Sequence, residues 1–137
     1  MEHVELARSV GLPEGDLFHV LTGAVPGFVW VCDRTGRVVY ANAFWSEFSG
    51  LSQSQWLGFG WLKAIHPEDI PVLEKAWNDA HAQDLDSYRI KARCLDHQGM
   101  YRWQKIAMRR APMSGGFWMG CGVDIDDMVR AKAKDDL

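Results

Sequence analysis

Residues 117–125, "FWMGCGVDI", carry the alternation of an extended strand: Phe117, Met119, Cys121, Val123 and Ile125 on one face, Trp118, Gly120, Gly122 and Asp124 on the other. The alternation reads as the last strand of the domain, with two glycines removing side-chain volume from one of its faces. It runs on into "DDMVRAKAKDDL" at 126–137 without Pro or Gly, and Asp126 or Asp127 starts a polar helix there.

Working back along the chain, "SYRIKARCL" at 87–95 sets Tyr88, Ile90, Ala92 and Cys94 against Arg89, Lys91 and Arg93, a half-buried strand. "DHQG" is a hairpin turn. In "MYRWQKIAMRRA" at 100–111, Ile106 and Met108 share one parity and Tyr101, Trp103 and Ala107 the other. Further upstream, "FVWVC", "DRTG" and "RVVYA" form a hairpin at 28–41. Asn42 is placed to cap a short helix, "AFWSEFSG", that ends at Gly50, and Ser52 or Ser54 opens another turn.

"GFGWLKAI" leads into a short helix closed by "HPED", where His66 holds the turn. Residues 69–83 are the longest helix, with Asp69 as N-cap, Pro71 in the first turn, and Leu73, Ala76, Trp77 and Ala80 in one apolar stripe. Two weaker helices, at 2–10 and from Asp16, precede the hairpin; the second sets Phe18, Leu21 and Val25 on one side. Two strands, several helices, then three strands joined by tight turns give an α+β domain. Its sheet is largely antiparallel, with helices on one face.

With 137 residues, 47% hydrophobic and 24% charged, the chain is expected to form one domain with its own core. The net charge of −3 gives no basic field for nucleic acid. No run is apolar enough for a membrane span, and the acidic start does not read as a signal peptide, so the cytoplasm is the expected compartment. Cys32, Cys94 and Cys121 lie far apart without CxxC spacing, and His3, His19 and His97 have no partner spacing, so no metal site is expected. Seven tryptophans imply dense packing or an aromatic pocket. No nucleophile elbow, phosphate-cradling glycine loop or HExxH motif points to an enzyme.

Five segments in order resemble PAS domains of the third subclass. "WVCDRTGRVVYAN" is similar to their first hairpin, and "FSGLSQSQWLG" to the helical segment after it. "WLKAIHPEDIPVLEKAW" resembles the turn into the long helix, "LDHQGMYRWQKIAMRRAPM" the following hairpin, and "GVDIDDMVRAK" the exit. The likeness covers about 28–130. It implies the PAS fold: five antiparallel strands in the order 2-1-5-4-3, short helices and one longer helix on one face, and an N-terminal helix on or near the other. It further implies an N-terminal cap at 1–27, a PAS core at 28–125 and the start of a signalling helix at 126–137. The parent expected is a histidine kinase of a two-component system, a cyclic-dinucleotide enzyme, a chemoreceptor or a transcription regulator, whose effector domain is absent from this chain.

Carried over strand by strand, the resemblance implies a ligand pocket. Trp30, Cys32, Tyr88, Ile90, Gly120 and Gly122 face inward, under a lid of Trp61, Ile65, Leu73 and Trp77. Gly120 and Gly122 take volume out of that face, to be refilled by Trp side chains or left as a pocket. With no Arg or Lys in the set, a small apolar or aromatic ligand suits it better than a di-anion; the alternative is a ligand-free dimerisation or protein-docking scaffold. The cofactor is unknown. A flavin adduct is disfavoured because "GFGWLKAIHPE" lacks the cysteine of light-oxygen-voltage domains, and haem because His81 sits at the end of its helix. Asp124, Ile125 and Asp126 form the expected signal exit. The outward residues Val29, Val31, Met119, Cys121 and Val123 need a cover, supplied by Phe18 and Leu21, by a second copy in a homodimer, or by both.

Overall fold

The computed structural model describes residues 22–112 and 115–136. Strands β1 (Phe28–Cys32) and β2 (Val38–Ala41) form the first hairpin, closed by Asp33, whose side chain accepts from the backbone N–H groups of Thr35 and Arg37. Helices α1 (Phe44–Ser49) and α2 (Gln53–Trp56), then 3-10 turns at Gly60–Ala64 and Pro67–Asp69, lead into α3 (Ile70–Ala82). Strands β3 (Ser87–Leu95), β4 (Tyr101–Arg110) and β5 (Trp118–Asp124) follow, and α4 (Asp126–Asp135) leaves the sheet. The sheet runs β2-β1-β5-β4-β3 with every pairing antiparallel, so β5 is its central strand.

On the inner face, Tyr88, Ile90, Ala92 and Cys94 of β3 and Trp118, Gly120 and Gly122 of β5 are each more enclosed than their outward neighbours, as are Ile106 and Met108 of β4. Two apolar clusters lie between that face and the helices. Ala80, Leu73 and Trp77 of α3 pack with Cys32, Ile106, Met108 and Trp118. Trp45 of α1 and Trp56 of α2 pack with Phe28, Val38 and Ala41. Gly50 ends α1 at φ 74, the left-handed conformation that glycine adopts without a Cβ penalty.

Two caps expected from local sequence have other roles. Asn42 does not cap α1; its amide donates to the carbonyls of Thr22 and Gly27, and its oxygen accepts from Val29 N–H at 3.1 Å, which pins the entry to β1. Asp69 makes no side-chain cap on α3. Its carboxylate instead takes Arg93 in a two-point contact, Nε to Oδ2 at 3.0 Å and Nη2 to Oδ1 at 2.9 Å, and also accepts from Arg93 N–H at 2.7 Å. In both cases distant partners offer several hydrogen bonds, from a guanidinium at Asp69, where the local cap offers one. His66 does hold its turn, accepting from Glu68 N–H at 3.1 Å. Phe18 and Leu21 lie outside the described residues.

Candidate functional site

The inner face of the sheet and the helices border a cavity of about 370 Å³ that opens to solvent beside Thr35, Phe59 and Glu74, within the range of small-molecule sites. Nine of the ten expected pocket residues line it: Trp30, Cys32, Trp61, Ile65, Leu73, Trp77, Tyr88, Ile90 and Gly122. Gly120 does not. It faces inward, but a Cβ there would fall 2.1 Å from Cε2 of Trp30, so the indole already occupies the space the glycine opens. At Gly122 a Cβ would meet Phe28 Cδ2 at 3.4 Å, an ordinary contact, and this glycine stays on the cavity wall. Of the two glycines, one seats a tryptophan and the other leaves room.

Phe28, Trp45, Phe48 and Gln104 also line the cavity and were not among the expected pocket residues. The first three come from the α1 side, where Phe28 sits edge-on to Phe44, Trp45 and Phe48 at 5.0–5.1 Å between centroids. Gln104 shares the parity of Ile106 and Met108, which was a usable signal. It is 0% exposed, and its Oε1 has no hydrogen-bond partner. Trp45 Nε1 and Trp61 Nε1, on two further lining residues, are likewise buried without partners, as is Trp56 Nε1 outside the lining. Burial of polar groups without partners is rare in folded proteins.

Two cysteines stand on the cavity wall, Cys32 and Cys94. Burial pushes the Cys32 thiol up to about 12, with the nearby Asp33 charge adding to it, and burial likewise pushes Cys94 up to about 12. Both remain thiols at neutral pH, and a thiol is a poor nucleophile. Burial, with Cys32 adding, raises the Tyr88 hydroxyl as well, so it stays protonated. Glu74 is the one charged side chain in the described lining, and it is exposed. His81 lies outside the lining; its ring packs against Trp77 at 4.3 Å and Trp118 at 5.6 Å, and its Nδ1 meets the Trp77 carbonyl.

Gln104 joins the cavity wall to the exit at the end of β5. Asp124 accepts from Arg102 Nε at 2.7 Å and Nη2 at 3.2 Å, from the backbone N–H of Asp126 at 2.9 Å, and from Gln104 Nε2 in a long bond of 3.4 Å. Burial acts to raise its carboxyl, but the bonds from Arg102 and Asp126 outweigh it and hold the group below its ordinary value. Ile125 occupies the N-cap position of α4. Asp126 is the first residue of α4; its buried carboxylate accepts from Trp103 N–H at 3.1 Å and pairs with Arg130. The three exit residues thus form one network with β4, and Arg102 and Gln104 are the partners not identified from sequence.

On the outer face, Val29 stands opposite Cys121 and Val31 opposite Met119. Met119 and Val123 are 38% and 57% exposed. Together they form an apolar strip across β1 and β5, half-buried at Val29 and Val31 and exposed at Met119, Cys121 and Val123.

Sheet order, roofing helices and the cavity between them define an α+β fold with a five-stranded antiparallel sheet. A family model described as the PAS fold matches residues 38–109, and the chain belongs to that family. It is 33% identical over 112 residues to the uncharacterized protein y4lL of Sinorhizobium fredii, a match covering 78% of this chain and 13% of y4lL. It is 29% identical over 121 residues to the peroxide stress-activated histidine kinase mak1 of Schizosaccharomyces pombe, covering 80% of this chain and 7% of the kinase. The PAS domain of a Colwellia psychrerythraea protein superposes with a TM-score of 0.69 at 16% identity, over 84% of this chain and 99% of that one. The chain therefore spans a small fraction of the curated relatives it matches. As a PAS domain it is a sensory, signal-transduction type of module, the type that histidine kinases carry. Among the described residues no helix is long and apolar enough to cross a membrane.

Proposed function

We propose that this domain is the input module of a larger regulator, a histidine kinase or cyclic-dinucleotide enzyme, and that it binds a small apolar or aromatic molecule in the cavity. It acts as a binding module rather than an enzyme. The observation that carries this reading is the cavity itself: about 370 Å³, walled by aromatic and aliphatic side chains, with buried polar atoms on Gln104, Trp45 and Trp61 that no protein group satisfies. A plain core at this position would be closed by side chains, as Trp30 closes the space over Gly120. Occupancy is passed to α4 through β5 and the Asp124–Asp126 network.

Native mass spectrometry of freshly purified protein tests the reading. A bound small molecule is expected on the wild type and lost in Gly122→Leu, whose side chain fills the cavity. A bare chain, together with failure to take up any apolar aromatic probe, supports the ligand-free scaffold instead.

The outer strip supports a second part of the proposal, a homodimer in which this face meets a second copy. Val29, Val31, Met119, Cys121 and Val123 are contiguous in register and apolar, and 57% exposure at Val123 is unfavourable for a side chain of that type.

A further inference from the structure

If the cavity holds a ligand, as proposed above, Gln104 decides which kind. Its side chain leaves β4 on the inner face, with Ala92 opposite on β3 and Asp124 opposite on β5. The amide nitrogen lies 3.4 Å from Asp124 Oδ2. A carboxylate held by Arg102 only accepts hydrogen bonds, so the amide cannot turn its oxygen to that side without setting two acceptors face to face. The oxygen is therefore left buried and unpaired on a residue of the cavity wall. It can only accept, and a ligand N–H or O–H is what satisfies it.

The remaining wall narrows the class. No Lys or Arg occurs in the described lining, so a buried anionic group would have no counter-charge. Trp45 and Trp61 supply unpaired N–H donors for a neutral acceptor atom. The walls beside them, Phe28, Trp30 and Trp77, suit flat rings. We infer that Gln104 is the specificity-determining residue of the cavity, whose Oε1 accepts a hydrogen bond from a neutral, largely aromatic ligand bearing an N–H or O–H, and that carboxylates are rejected.

Equilibrium dialysis at pH 7 with 2-naphthol, its methyl ether 2-methoxynaphthalene, and 2-naphthoate tests this on the intact chain. The wild type is expected to bind 2-naphthol about tenfold tighter than the ether or the carboxylate, as one added hydrogen bond to a buried unpaired acceptor implies. In Gln104→Met, which keeps the length but removes the acceptor, 2-naphthol and the ether should bind within about twofold of each other. Equal binding of 2-naphthol and its ether by the wild type overturns the role of Gln104 while leaving the cavity as a ligand site. So does binding of 2-naphthoate as tight as 2-naphthol. Binding of none of the three overturns the ligand reading itself. Should Gln104→Met fail to fold, the wild-type ratios alone decide.

Discussion

Arg102 closes on Asp124 in a two-point contact, Nε to Oδ2 at 2.7 Å and Nη2 to Oδ1 at 3.2 Å, and the same carboxylate caps the first N–H of α4 at 2.9 Å. The end of the central strand and the start of the exit helix are thereby held by one side chain. Removing it should free the helix without dissolving the sheet. In Asp124→Ala the pair is lost where both partners are under a third exposed, and the cost expected is about 1–2 kcal/mol. Urea unfolding followed by circular dichroism measures it. A full-length parent carrying the substitution should fold and signal abnormally, and normal signalling would contradict the role given to the exit.

That relationship marks how far the sequence could be read. Alternation along β5 places Asp124 inward and in need of a partner. It cannot name Arg102, because strand register is settled by pairing across β4 and β5, not by neighbours along the chain. Gln104 was legible by parity, yet a polar residue between Trp103 and Lys105 reads as solvent-facing until the sheet is folded. Gly120 shows the opposite limit. A missing side chain signals space, but whether a distant Trp30 fills that space depends on three-dimensional packing. The caps at Asn42 and Asp69 obey sound local rules and were overridden by partners distant in the chain.

Acid should unfold the domain through its paired carboxylates. The hydrogen bond from Arg93 holds Asp69 below the ordinary value of 3.8. Asp124 and Asp126 also end below 3.8, although burial alone would raise them. A depressed native value means that the unfolded chain takes up the proton first. The stabilisation is thus fully present above the ordinary carboxyl range and is lost as pH falls from there through the native values. Stability should be flat near neutrality and decline below about pH 5. Asp69→Asn should cost about 2–3 kcal/mol at pH 7 and flatten the acid slope. An unchanged slope would show that this pair does not drive the acid transition.

The two inward glycines should respond differently to one added methyl group. Gly120→Ala puts a Cβ 2.1 Å from the Trp30 ring and is expected to cost about 1–3 kcal/mol, with a shift in tryptophan emission. Gly122→Ala meets nothing closer than 3.4 Å and should stay within about 1 kcal/mol of wild type. Equal losses in thermal melts would mean that the cavity does not extend over Gly122.

Association through the outer face predicts sensitivity at Val123, which is 57% exposed on the apolar strip. Light scattering should give a dimer mass for the wild type and a monomer mass for Val123→Asp, with the thermal midpoint of the isolated fold little changed. A wild-type monomer at all concentrations would remove the dimer from the account.

The central claim is that the cavity reports its occupancy to α4 through Gln104 and Asp124, and amide hydrogen exchange in α4 tests it most directly. The N–H of Asp126 bonds Asp124 Oδ1 and that of Val129 bonds the Ile125 carbonyl at 3.0 Å, so both report the firmness of the exit. With saturating 2-naphthol, a donor on Gln104 Oε1 polarises the amide and strengthens its bond to Asp124. Exchange at these two positions should slow by about threefold in the wild type and not at all in Gln104→Met. Unchanged exchange in a wild-type domain shown to be occupied would contradict the account.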